Sequence, residues 1–319
     1  MLISLGVTTS MPVGLSVRYA RLAEEEGYHR IWVGEDLPSR EIFAYLSVLA
    51  LRTSRIGLAS GIVSLYARNL AVIATSASGL QALSGGRFSL GLGVGGIPEV
   101  EALTGERPRD VVRVMEEGIG LLRRLWAGET VTYEGVRARF DGYSLASPPD
   151  PPPRIYVGAR GPRLLSLAGA MAEGCLMSGP EAYLMEGLRA LERGAGQAKR
   201  DLKAIERVLW NGLVVGEEEK DLRLAGVVAA TMAASLPDQV LRAMGVEGEL
   251  KARIKAGDYR RAGEMLKREA IAQLCTFGSL EEISDRIEEL EAMGFTEFVV
   301  GPPFGRDPDG AIRGLAEVI

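Results

Sequence analysis

The sequence predicts an α/β protein built as a (β/α)8 TIM barrel. Three observations predict it: eight short apolar runs that read as strands, helical periodicity between them, and no linker-like break in composition. Residues 3–7 are the first strand, and apolar residues at helical spacing over 15–26 stop at Gly27. Residues 30–33 are the second strand, followed by a helix over 40–51. A third strand at 56–61 leads to a helix over 70–83 that ends at Gly85-Gly86. A fourth at 88–94 leads to a long helix over 109–125. Such alternation gives right-handed crossover units and a parallel sheet. Residues 128–153 break the rhythm: 130–133 and 136–140 flank Glu134-Gly135 as a hairpin, and a proline-rich stretch follows. The hairpin reads as an excursion hung on the barrel. Alternation resumes with a strand at 155–158 and a helix at 162–171, then a strand at 175–178 and a helix at 181–194. The seventh strand, 206–215, precedes a helical region over 217–269 interrupted at Pro237, Gly245 and Gly257. A helix at 280–293, an eighth strand at 297–301 and a closing helix at 309–319 complete the chain. Residues 1–319 thus read as one domain with insertions. The alternative is an open doubly wound sheet, which the count of eight disfavours.

Composition narrows the partners. Hydrophobic residues make up 47% and charged residues 25%, as expected for a chain with a sizeable core. A net charge of -5 and a pI near 5.3 leave no basic footprint for nucleic acid. Two cysteines, Cys175 and Cys275, suit neither a disulfide framework nor a metal site. The first residues lack the pattern of a signal peptide and no apolar run is long enough to span a membrane, so a cytoplasmic location is the default expectation. Scarce amides beside abundant Arg and Glu hint at a thermophilic source.

In a barrel, the loops after the strands carry function and the opposite end carries stability. The only histidine, His29, precedes the second strand and reads as structural. Glu35 and Asp36 follow that strand on the functional side, as acids that could handle protons or merely cap a helix. If both are desolvated, each raises the other's pKa. Ser60-Gly61-Ile62-Val63-Ser64 ends the third strand, where glycine permits close approach of something flat. Gly91-Leu92-Gly93-Val94-Gly95-Gly96 ends the fourth with a formal dinucleotide spacing, better read as a strand stripped of side chains so that a planar ring can lie against it. Gly158-Ala159-Arg160-Gly161-Pro162 is the best phosphate signal. A strand ends at glycine, an arginine projects, and proline opens a helix whose free N–H groups favour an anion. Met177 and Ser178 end the next strand beside it. Gly301-Pro302-Pro303-Phe304 ends the eighth, as a cleft wall or a rigid turn.

Three stretches together carry a family resemblance: Tyr66-Ala67-Arg68-Asn69 through Leu83-Ser84-Gly85-Gly86-Arg87-Phe88 to Gly95, Ile155-Tyr156-Val157-Gly158-Ala159-Arg160-Gly161-Pro162, and Phe298-Val299-Val300-Gly301-Pro302. They resemble the luciferase-like superfamily of flavin and deazaflavin oxidoreductases and, within it, the deazaflavin-dependent methylenetetrahydromethanopterin reductases. The resemblance implies a non-prolyl cis peptide at Gly61-Ile62 backing a cofactor ring, and a cofactor phosphate near Gly158 to Gly161. It implies coenzyme F420, with FMN as the alternative, hydride transfer to or from a small organic substrate such as a methylene-tetrahydropterin, and a homodimer. The expected cofactor-binding set is Ser60, Gly61, Ile62, Val63, Gly93, Val94, Gly95, Gly158, Ala159, Arg160, Gly161, Met177 and Ser178, with Glu35 and Asp36 catalytic. Two departures stand out. The family's strand-two acid is commonly followed by histidine, where this chain has Asp36. An Asn-Pro pair often follows the bulge, where this chain has Val63-Ser64-Leu65. Both lie where substrate would sit, so an FMN-dependent monooxygenase and a non-catalytic flavin-binding homologue remain the rival readings.

Overall fold

The computed structural model describes residues 1–318. Its strands are β1 (Leu2–Thr8), β2 (Arg30–Gly34), β3 (Gly57–Ser60), β4 (Val63–Ser64), β5 (Phe88–Gly93), β6 (Val131–Glu134), β7 (Arg139–Tyr143), β8 (Arg154–Gly158), β9 (Gly174–Met177), β10 (Glu206–Val215), β11 (Cys275–Gly278) and β12 (Glu297–Gly305). Eight of them close a parallel barrel in the order β1-β2-β3-β5-β8-β9-β10-β12, with β12 returning to β1. Helices α1 (Val13–Glu25), α2 (Ile42–Arg52), α3 (Leu70–Leu83), α5 (Val111–Trp126), α6 (Pro162–Met171), α7 (Glu181–Gln197), α13 (Leu280–Ala292) and α14 (Pro308–Glu317) are set between and after the barrel strands.

Three elements depart from the sequence reading. A short helix α4 (Ile97–Thr104) precedes α5, stopped by Gly105 in the left-handed conformation. The helical region contains α8 (Glu219–Ala233), α9 (Asp238–Ala243), α10 (Gly248–Lys255), α11 (Tyr259–Met265) and α12 (Arg268–Ala272), and it is followed by β11, an extra parallel strand beside β10. Strand β12 runs on to Gly305, so Gly301 to Phe304 is neither strand end nor free turn; Phe304 is buried against Tyr19, ring centroids 5.5 Å apart. The hairpin forms as β6 and β7, its turn shifted to Gly135–Ala138 because Gly135 N–H bonds the Ala138 carbonyl. Ile319, assigned to the closing helix from sequence, lies outside the described residues. No helix among them is long and apolar enough to cross a membrane.

Strand alternation sorts the side chains into separate cores. Outward residues such as Leu5, Ile31, Val33, Leu58, Leu90 and Val157 pack against the helices. Trp32, Ala59, Tyr156, Leu176, Val208 and Val299 fill the barrel lumen, with Ile62 and Trp210 above them. Helices α8–α12 build a third core on Val214 and Cys275, so the insertion is packed onto the upper halves of β10 and β11.

Candidate active site

The two ends of the lumen differ in chemistry. At the lower end, where the strands begin, Arg30 donates to Tyr156 Oη at 2.8 Å and to Glu206 at 3.0 Å, and Tyr156 donates to Glu206 at 2.6 Å. Glu297, fully buried, accepts from Ser4 Oγ at 2.5 Å and Trp32 Nε1 at 2.6 Å. Burial pushes the Glu297 carboxyl up, against the pull of Arg30. Burial acts the same way on Glu206, but Arg30, Tyr156 and Arg154 outweigh it and hold that carboxyl below the usual range. His29, Glu206 and Glu297 each offer a ligand atom within 4.8 Å of the others. Arg30 stands among them, 2.6 Å from His29 Nε2, so a guanidinium already supplies the positive charge there. Burial, then the Arg30 charge, pushes the His29 imidazole down to about 4.

At the upper end the last lumen-facing positions of β2, β5 and β8 are Gly34, Gly93 and Gly158. Their reason is visible in what a side chain would strike. A Cβ on Gly93 would lie 2.6 Å from Ile62 Cδ1, one on Gly158 2.4 Å from Ile62 Cγ2, and one on Gly91 2.0 Å from the Ser60 carbonyl oxygen. The glycines of β5 therefore make room for the Ser60–Ile62 bulge, which corrects the expectation that they are stripped to admit a planar ring. Gly61-Ile62 is a cis peptide, as the resemblance implied. A Cβ on Gly61 would meet Trp210 Cζ3 at 2.9 Å, so the flat neighbour inferred for that glycine is an indole of the protein itself.

The expected site residues divide accordingly. Gly61, Ile62, Gly158, Arg160, Gly161 and Ser178 gather at the mouth. Ser60 is fully buried in the wall, its hydroxyl accepting from Gly91 N–H and donating to the Gly91 carbonyl. Val63, Ala159 and Met177 point into the helix-facing core, Met177 against α7 near Gly187. Val94 also packs on that core, and Gly95 lies over Ser64 and Val100. Parity explains these exclusions: neighbouring residues in an extended segment face opposite sides, so a contiguous run cannot all reach one ligand.

The same rule separates the two acids. Glu35 turns away from solvent, its side chain 3% exposed, and forms a bidentate ion pair with Arg68. Its pKa is raised, because burial outweighs Arg68. Asp36 is exposed, its N–H donating to Thr9 Oγ1 at 2.9 Å. The two acids are not desolvated together, since Asp36 is exposed; after burial, Glu41 is the carboxylate that adds to the rise at Glu35.

Arg160 is the charged group that the mouth leaves unbalanced. It donates to the Ser235 carbonyl at 2.5 Å and to Ser178 Oγ at 3.1 Å, and it has no carboxylate partner among the described residues. Burial holds its pKa below the usual arginine value. Helices α6 and α7 begin beside it, with Gly161 and Pro180 as N-caps and no side-chain cap on either, leaving first-turn N–H groups free. Positive charge and free donors in a part-dry mouth make an anion site. These residues fit the phosphate of a phosphate-bearing cofactor. Sequence reasoning missed Trp210, Arg68 and the lower network; the lumen parity of Arg30, Tyr156, Glu206, Trp210 and Glu297 was the available signal.

Comparison with known proteins follows the same line. The chain is 31% identical over 319 residues to 5,10-methylenetetrahydromethanopterin reductase of Methanolobus tindarius, covering 97% of each chain. It is 28% identical to the enzyme of that name from Archaeoglobus fulgidus, covering 94% of this chain and 93% of the other. The solved structure of the coenzyme F420-dependent tetrahydromethanopterin reductase from Methanopyrus kandleri superposes with a TM-score of 0.87 at 24% identity, over 100% of this chain and 98% of that one. The family model described as luciferase-like monooxygenase matches residues 4–297, and the chain belongs to that family.

Proposed function

We propose that the chain is an oxidoreductase that transfers a hydride between coenzyme F420 and a small organic substrate, with a methylene-tetrahydropterin as the substrate class. The observation that carries the cofactor is Arg160, a cation without a counter-ion among the described residues at the head of two uncapped helices, in a chain similar along its length to an F420-dependent reductase. When bound, the deazaflavin supplies the carbon that accepts or donates hydride. The protein binds and orients: Arg160, Ser178 and the start of α6 hold the anionic tail, and Ile62 backs the ring. The filled lower lumen keeps water from entering beneath. Asp36 is the acid placed to move a proton, because Arg68 engages both oxygens of Glu35.

Titration of the purified protein with F420 and with FMN tests the cofactor; micromolar or tighter F420 binding is expected. Oxidation of reduced F420 by a methylene-tetrahydropterin tests the substrate, and D36N should lose turnover while keeping cofactor affinity. Oxygen consumption with reduced FMN, and no F420 binding, would overturn the assignment in favour of a monooxygenase.

We also propose a homodimer through α2 and α3. Their outer face carries Val48, Leu51, Val72 and Leu83, all exposed, with Arg52 at the end of α2 as its one charge, and Leu51 is 68% exposed. A largely apolar face of this kind on two adjacent helices suits a self-complementary interface. Size-exclusion chromatography with light scattering checks it: L51E should run as a monomer, and a monomeric wild type would sink the idea.

A further inference from the structure

Trp210 sits where four barrel strands carry or lead into glycine. A Cβ on Gly6 would lie 2.6 Å from its Cζ2, one on Gly61 2.9 Å from Cζ3, one on Gly301 2.6 Å from Nε1, and one on Gly34 3.5 Å from Cη2. The three closest approaches are shorter than any side chain tolerates, so Gly6, Gly61 and Gly301 are the space the indole occupies. Backbone on several sides prevents the ring from turning about its χ angles. A plane held this rigidly loses little freedom when a ligand settles on it.

The ring is held but not sealed. Trp210 is half-buried, whereas Trp32, lower in the lumen, is fully buried. The polar edges differ in the same sense. Trp32 donates to Glu297 at 2.6 Å and Trp126 donates to the Ala74 carbonyl at 3.3 Å, but the Trp210 N–H has no acceptor among the described residues. Trp210 also touches the bulge from the lumen side through Gly61, adjoining the surface that Ile62 presents.

We propose that Trp210 is a binding residue for the deazaflavin ring: the indole lies across the lumen with its rim against Gly6, Gly34, Gly61 and Gly301, and its upper face floors the ring's pocket. The inference rests on the reading of the mouth as an F420 site. It assigns the inner end of the ligand to Trp210 as Arg160 takes the anionic end. Phenylalanine at 210 keeps a smaller aromatic floor. Alanine removes it.

The test is a titration of wild type, W210F, W210A and W126F with F420, followed by tryptophan emission and by cofactor absorbance. Binding to wild type should quench tryptophan emission, and W210F should lose most of that quenching. W210F should bind F420 within about 3-fold of wild type, because an aromatic floor remains. W210A should bind about 30-fold more weakly or worse, the loss of the floor. W126F should behave as wild type, and thermal melts should establish that W210F is folded. Unchanged affinity in folded W210A, or unchanged quenching in folded W210F, would overturn this inference alone. Failure of wild type to bind F420 would overturn the F420 reading and this inference together.

Discussion

The lower and upper halves of the barrel lumen handle polar groups in opposite ways. Below, Arg30, Glu206, Glu297, Tyr156, Trp32 and Ser4 satisfy one another in a closed circuit, leaving one orphan oxygen, Oε2 of Glu297. Above, Arg160 lacks a counter-ion and the Trp210 N–H lacks an acceptor among the described residues. A circuit closed on itself ties five of the eight barrel strands together. Donors left open cost stability and are kept where something else completes them. The charged residues of a barrel thus declare their role by whether their partners are other residues.

Mutations at the two ends should separate stability from binding. The largest effect belongs below: R30M strands buried Glu297 without its cation and leaves Glu206 only Arg154, and urea unfolding should show a loss of about 3–5 kcal/mol. F420 affinity of the folded fraction should not change; if affinity collapses with the fold intact, the division between halves is wrong. Above, R160M should weaken F420 binding about 10- to 100-fold, the value of charged hydrogen bonds, without lowering the melting temperature. An intermediate case is G158A, whose new methyl would lie 2.4 Å from Ile62 Cγ2. It should cost about 1–3 kcal/mol in unfolding experiments, and I62A in the same chain should recover much of it. The smallest effect is a pH dependence at the lower end. The unfolded chain binds a proton at His29 near 6.5, the folded chain only near 4. Protons therefore favour the unfolded state as pH falls between those values, and stability declines through that window. Melting temperatures of wild type against H29Q should show the shallower slope in the variant.

Most of the barrel is readable from sequence because strand and helix periods differ and each βα unit carries its own stop signals. The helix at Leu70–Leu83, capped by Asn69 and ended before Gly85-Gly86, is fixed by local chemistry. Strand β11 is not: four residues, Cys275–Gly278, joined to β10 outside the barrel circuit, are determined by tertiary pairing. The site divides along the same line. Arg160 and Gly161 are legible because an arginine and a proline-opened helix after a strand are local features. The purpose of Gly91, Gly93 and Gly158 is not, because the group they accommodate, Ile62 with its bulge, is distant in sequence. Glycine announces that something is close without saying whether it is ligand or protein.

Strand β10 carries Trp210 at the lumen and Val214 in the core of the insertion, with Gly212 between them against Val228 of α8. Floor and wall of the mouth are therefore graduations on one rule. At about 3.3 Å per residue, the four residues from Trp210 to Val214 set a rise of roughly 13 Å. Substitutions in α8–α12 can change the packing along that height. Changing the height itself takes an insertion or deletion within the strand, which would also shift every residue beyond it to the other face. Relatives that accept longer or shorter substrates are expected to differ in the helices they hang on this strand far more often than in its length.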